Sequence, residues 1–199
     1  MRKILYLHGF QSSGASGTVS LLRKIFWTDD EAKRAAVIAP DIPVDPAEAL
    51  PFLRGLAAKE HPDLIIGTSM GGAYAQLLRD IPRICVNPGF HLSKLYSHFH
   101  VGKYKWLSKR ADGAVEFHVY KETIEHLAEQ EKHQFEGITD FDKIGCVGLF
   151  GTEDEFAGSN REEFEQWYPG QARIFEGGHR MNDEIAHKVL VPVINELLG

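Results

Sequence analysis

The chain has 199 residues and carries 22 Lys and Arg against 28 Asp and Glu, a formal charge of −6 with histidine neutral. That balance argues against a nucleic-acid or anionic-membrane surface, which needs a basic excess. With 43% hydrophobic and 25% charged residues the composition is that of a globular domain, one domain by length at about 150 residues each. No apolar run approaches the roughly 20 residues of a membrane-spanning helix.

The first apolar run, Ile4 to Leu7, predicts a strand ending in His8-Gly9, followed by a Gly/Ser loop from Gln11 to Gly17 and an amphipathic helix from Thr18 to Trp27. Too few apolar residues follow Arg2 and Lys3 for a signal peptide, so a cytoplasmic protein with reduced thiols at Cys85 and Cys146 is expected. Ala35 to Ala39 predicts a second strand. Ala47 to Lys59 has helical composition, with Pro51 marking a kink or the true start. Leu64 to Gly67 predicts a strand, Met70 to Arg79 a helix and Ile84 to Val86 a strand.

The stretch from Pro88 to Lys143 is longer than one crossover helix needs, and is expected to add a layer over the sheet edge, with a helix near Tyr120 to His133. Beyond it, Cys146 to Phe150 and Arg173 to Phe175 predict strands, and Arg161 to Trp167 and Asn182 to Leu198 predict helices. Strands alternating with helices imply βαβ units, hence an α/β fold whose mostly parallel sheet is covered on both faces.

Gly67-Thr68-Ser69-Met70-Gly71 fits G-x-S-x-G between a predicted strand and a predicted helix, the context a nucleophile elbow requires. The same residues also suit a Gly/Ser turn that caps a helix. A serine nucleophile needs a base, and His179 follows a strand through the loop Glu176-Gly177-Gly178, at the strand end where parallel sheets keep functional groups. Gly151-Thr152-Glu153-Asp154-Glu155 ends the preceding strand, and Asp154 is the preferred orienting acid over its two glutamate neighbours. The backbone amides of Phe10 and Met70 are the expected oxyanion donors, with His8 organising its loop. No metal site is expected, because His98-Phe99-His100 lacks helical i, i+4 spacing; Gly9 to Ser16 lacks the lysine of a phosphate-binding loop.

Leu5-Tyr6-Leu7-His8-Gly9-Phe10-Gln11-Ser12-Ser13, Gly67-Thr68-Ser69-Met70-Gly71-Gly72, Val86-Asn87-Pro88, Gly151-Thr152-Glu153-Asp154-Glu155 and Glu176-Gly177-Gly178-His179 occur in this order. Together they resemble the YqiA-like small bacterial esterases of the α/β-hydrolase superfamily. The resemblance implies a cofactor-free serine esterase or thioesterase acting on a small molecule, with Ser69, Asp154 and His179 as its triad.

From Gly89 to Ala111 the chain has no Asp or Glu but contains Lys94, Lys103, Lys105, Lys109 and Arg110 among aromatic residues. One reading is a small helical cap, spanning about residues 89–143, in which Phe90, Tyr96, Tyr104 and Trp106 contact an acyl group and the lysines meet an anionic leaving group. The other is a solvated basic face with ordinary aromatic packing. At the level of the whole chain, the alternative to a hydrolase is a binding or regulatory protein on the same fold whose triad is inactive.

Overall fold

The computed structural model of the protein describes residues 1–31, 33–96, 101–155 and 157–199; the side chains of residues 95, 96, 157 and 158 lie outside that description. The chain begins with β1 (Arg2–Leu7), α1 (Gly17–Phe26), β2 (Ala35–Ile38), α2 (Pro46–Glu60), β3 (Leu64–Thr68), α3 (Met70–Leu77) and β4 (Arg83–Val86). An insertion follows, made of α4 (Leu92–Tyr96), β5 (Gly102–Lys105), β6 (Glu116–Val119), α5 (Lys121–Lys132) and α6 (Asp140–Gly145). The sheet then resumes with β7 (Cys146–Gly151), α7 (Ala157–Trp167) and β8 (Ala172–Phe175), and the chain ends in α8 (Asp183–Ile185), a π-helical turn (Ala186–Leu190) and α9 (Val191–Leu198).

The main sheet has six parallel strands in the order β2-β1-β3-β4-β7-β8. Period-two alternation sends successive residues to opposite faces. Leu5, Leu7, Ile65, Cys85, Cys146 and Phe150 face a core built with α2, α3 and α7, while Ile4, Tyr6, Leu64, Ile66, Ile84, Val86, Val147 and Leu149 face one built with α1, α8 and α9. Both faces are therefore covered, which is why these strands read as continuous apolar runs. Burial of each large aliphatic side chain contributes about 1.5–3 kcal/mol. Cys85 and Cys146 are buried free thiols whose sulfurs lie 3.9 Å apart.

Local chemistry sets the element ends. Ser16 caps α1 by accepting from the Val19 amide, and Asp45 caps α2 by accepting from the Ala47 amide at 2.8 Å. The second helix thus starts at Pro46, where a missing N–H costs nothing, and runs on through Pro51, which marks no start. The final helix, expected to be continuous, contains the π-helical turn. Pro192 has no N–H to offer the preceding turn, and the ladder widens just before it.

The insertion departs most from expectation. It is not purely helical: β5 and β6 form an antiparallel hairpin, with Tyr104 opposite Phe117 and Lys103 opposite His118. α5 packs against α2 and α4, and the hairpin bonds to the loops that follow β1 and β2. α6 is fixed to β4 by a fully buried Asp142–Arg83 ion pair at 2.7 Å.

Candidate active site

Ser69 occupies the single residue between β3 and α3, with φ 56° and ψ −120°. Such a backbone conformation costs a non-glycine residue on the order of 1–3 kcal/mol and persists only where the surroundings fix it. Here the Ser69 N–H donates to the Val86 carbonyl, and the Ser69 carbonyl accepts from the amides of Gly72, Ala73 and Gly89. The flanking glycines are required by close approach: a Cβ on Gly67 would lie 2.0 Å from the Gly71 oxygen, and one on Gly71 would lie 2.1 Å from the Leu7 oxygen. Ser69 stands at the N-cap position of α3 but its side chain makes no capping bond, so this is not a capping serine.

The Ser69 Oγ instead lies 3.0 Å from His179 Nε2. Across the ring, His179 Nδ1 is 2.7 Å from Asp154 Oδ2. A carboxylate only accepts, so Nδ1 carries the proton and Nε2 presents its lone pair to the serine hydroxyl. Asp154 has a side chain 2% exposed, whereas that of His179 is 41% exposed. Glu153 and Glu155 face solvent. The structure thus brings together the serine, histidine and acid singled out in the sequence, from the ends of β3, β8 and β7.

The loop after β1 lies against this group. A Cβ built on Gly9 would be 3.3 Å from the Ser69 Cβ. His8 is 1% exposed; its Nδ1–H donates to the Gly9 carbonyl at 2.8 Å and its Nε2 accepts from the Ile42 amide at 3.0 Å. Burial pushes the imidazole down to about 4, so it is neutral and serves as a brace. Met70, the other expected donor, is the first residue of α3, where amides lack partners within the helix.

The hairpin of the insertion is bonded to that loop. The Leu107 amide donates to the Gln11 carbonyl at 2.7 Å, Gln11 Nε2 donates to the Lys105 carbonyl, and Ser13 Oγ donates to the Lys109 carbonyl. The Phe10 ring packs edge-on against both Tyr104 and Phe117, at 5.5 and 5.3 Å. Trp106 packs at a tilt against Phe117, with ring centroids 4.1 Å apart, and carries the Arg110 guanidinium on its face. Phe90, expected to contact substrate, is fully buried instead. It packs against Phe135 and Phe164 in the core that also holds α2 and α3. The side chain of Tyr96, and the whole of His98, Phe99 and His100, lie outside the described residues. Lys103 is ion-paired with Glu116 across the hairpin. Among the described residues, no group of three or more His, Cys, Asp or Glu side chains is arranged to hold a metal, and no helix is long and apolar enough to cross a membrane.

The model of the uncharacterised protein family UPF0227 matches residues 3–188. The chain belongs to this YqiA-like family. Its α/β-hydrolase fold is shared with solved structures of low sequence identity. Est1E from Butyrivibrio proteoclasticus is 12% identical with a TM-score of 0.69, the match covering 99% of this chain and 88% of that one. The esterase domain of a Rhodothermus marinus protein is 16% identical with a TM-score of 0.64, covering 100% and 88%. The thioesterase domain from the curacin biosynthetic pathway is 13% identical with a TM-score of 0.60, covering 100% and 91%.

One residue of this YqiA-like chain carries more bonds at the site than its sequence advertises. Asn87, directly after β4, has φ 43° and is 3% exposed. Its Nδ2 donates to the carbonyls of Gly178 and His179, and its Oδ1 accepts from the Gly151 amide. The available signal was an asparagine followed by proline at a strand end, which more often marks a turn.

Proposed function

We propose that the protein is a serine hydrolase cleaving a small carboxylic ester or thioester through an acyl-enzyme on Ser69. The observation that carries this is the relay from Ser69 Oγ through His179 to Asp154, with contacts of 3.0 and 2.7 Å. Family membership and the esterase and thioesterase names of similar folds support the reaction class.

In this reading the Ser69 hydroxyl gives its proton to His179 Nε2 as the oxygen attacks the substrate carbonyl carbon, and the carbonyl π electrons move to oxygen. The amides of Phe10 and Met70 receive the resulting oxyanion. Collapse breaks the bond to the alcohol or thiol, which leaves with the proton from Nε2. Water then repeats the sequence on acyl-Ser69, with His179 again as base, and the carboxylic acid is released. Asp154 keeps the proton on Nδ1 and stabilises the imidazolium formed in each half-reaction. The residues invoked need no metal or organic cofactor, and the protein is expected to work in the cytoplasm on small molecules.

The test combines a fluorophosphonate probe with turnover of p-nitrophenyl acetate and an acyl thioester. The wild type should be labelled on Ser69, and Ser69→Ala should lose both labelling and turnover, on the order of a million-fold for a nucleophile of this kind. A folded Ser69→Ala variant that keeps more than about a tenth of the rate excludes the reading, since loss of a nucleophile is far larger. Absence of labelling in the wild type favours the non-catalytic alternative.

A further inference from the structure

We propose that Asn87 is a positioning residue for His179, fixing the backbone of the histidine loop so that the imidazole meets Ser69 and Asp154 together. The inference rests on the hydrolase reading above and names a residue outside its triad.

The need for such a residue follows from the loop itself. His179 is preceded by Gly177 and Gly178, the former at φ 154°, so the chain there has little intrinsic preference for one path. The imidazole is 41% exposed, and packing alone does not hold it. Its anchors include the Asp154 bond at one end of the ring and its own backbone at the other. An imidazole that must hold 2.7 Å and 3.0 Å contacts through opposite nitrogens tolerates little displacement of that backbone.

Asn87 meets this need with one planar amide. Both Nδ2 hydrogens go to the histidine loop, at 3.1 Å to the Gly178 oxygen and 3.2 Å to the His179 oxygen. The Oδ1 takes the Gly151 N–H at 2.8 Å, three residues before Asp154. The Asn87 backbone N–H donates to the Leu149 carbonyl, and Gly89, two residues on, donates to the Ser69 carbonyl. The base loop, the acid loop and the nucleophile turn are therefore referred to one short segment. Asparagine suits the position because it tolerates a left-handed backbone and offers two donors and an acceptor in fixed geometry. Aspartate has nearly the same shape but offers no donors when ionised.

The experiment compares Asn87→Ala and Asn87→Asp with wild type, each also in a His179→Ala background, using p-nitrophenyl acetate. Asn87→Ala should lower kcat about 10- to 100-fold, the order seen for misplaced catalytic groups, while KM changes less than about 3-fold. Asn87→Asp keeps the acceptor for Gly151 and the backbone preference, so it should fold; it loses the donors and should be at least as slow as Asn87→Ala. In the His179→Ala background neither substitution should lower the residual rate further, because nothing is left to position.

Three results would each overturn the proposal: wild-type kcat in Asn87→Ala, recovery of wild-type kcat by Asn87→Asp, or an equal loss with and without His179. Recovery by aspartate would assign the residue to the Gly151 bond alone. An Asn87→Ala variant that fails to fold leaves Asn87→Asp to decide. The Ser69→Ala control separates failure of this proposal from failure of the hydrolase reading: if that control keeps full turnover, the site itself has been misassigned.

Discussion

Asp154 and its neighbours Glu153 and Glu155 differ by one methylene and by where the loop points them. Asp154 accepts from His179 with its side chain 2% exposed, while both glutamates face solvent. Asp154→Asn preserves the shape but offers an amide donor to Nδ1, favouring the other imidazole tautomer. Steady-state kinetics should show kcat reduced on the order of 10⁴-fold. Glu153→Gln and Glu155→Gln should stay within about 3-fold, as expected of exposed surface changes. A larger loss at either glutamate would move the orienting role. Ser69, Asp154 and His179 could be picked out because each lies in the turn or loop that closes an apolar run, within four residues of the strand end. The placements of Phe90 and Asn87 were not legible. Asn87 directly follows β4 and Phe90 lies four residues past its end, and nothing in the residue types there tells whether a side chain turns into the core or across to another loop.

The hairpin β5–β6 and the helix α6 show how elements of the insertion act on the sheet. Phe10 packs edge-on against the stacked pair Tyr104 and Phe117, so the loop carrying the expected oxyanion donor takes part of its shape from the hairpin. Removing an oxyanion donor outright costs about 10²–10³ in kcat, and Phe117→Ala, which only loosens the loop, should cost about 10-fold. KM-matched assays would check this; an unchanged kcat would make the hairpin a passive cover. At α6, Asp142→Ala leaves the buried Arg83 guanidinium unpaired and should destabilise the fold by about 3–5 kcal/mol, read from urea unfolding. A cost below about 1 kcal/mol would mean that water reaches Arg83 in the variant. The six sheet strands were readable as apolar runs, but the hairpin was hidden. Its alternation spans only Gly102–Lys105 and Glu116–Val119, and the turn signal Asp112-Gly113 lies in a connection too long for a tight hairpin.

The pH response belongs to the folded molecule as a whole, and two buried groups, His8 and Asp142, contribute to its acid side. His8 has its value lowered from 6.5 to about 4 by burial. Between those values the unfolded chain binds a proton that the folded chain refuses, so acid favours unfolding. Stability from this group is complete above pH 6.5 and is lost as pH falls toward 4, roughly 3 kcal/mol in all and about 2 of it by pH 5. At Asp142 burial raises the carboxyl, but hydrogen bonds from Thr139 and the Arg83 charge outweigh it and hold the group at about 2. Its contribution is therefore kept down to pH 3.8 and lost only as pH falls further. Urea midpoints measured from pH 7 to 5 should fall more steeply for wild type than for His8→Gln. Parallel slopes would mean that His8 is not held neutral.

The stitching of Gln11 and Ser13 to residues 105–109 also bears on how such a protein can diverge. An insertion between two strands is ordinarily free to drift, changing what is recognised while the reaction machinery beneath is preserved. Here the inserted segment shares hydrogen bonds with the loop that lies against Ser69. Replacing it with a foreign hairpin of equal length should alter speed and selectivity together. New specificities are then more readily reached by exchanging single side chains such as Tyr104 than by swapping the segment as a module.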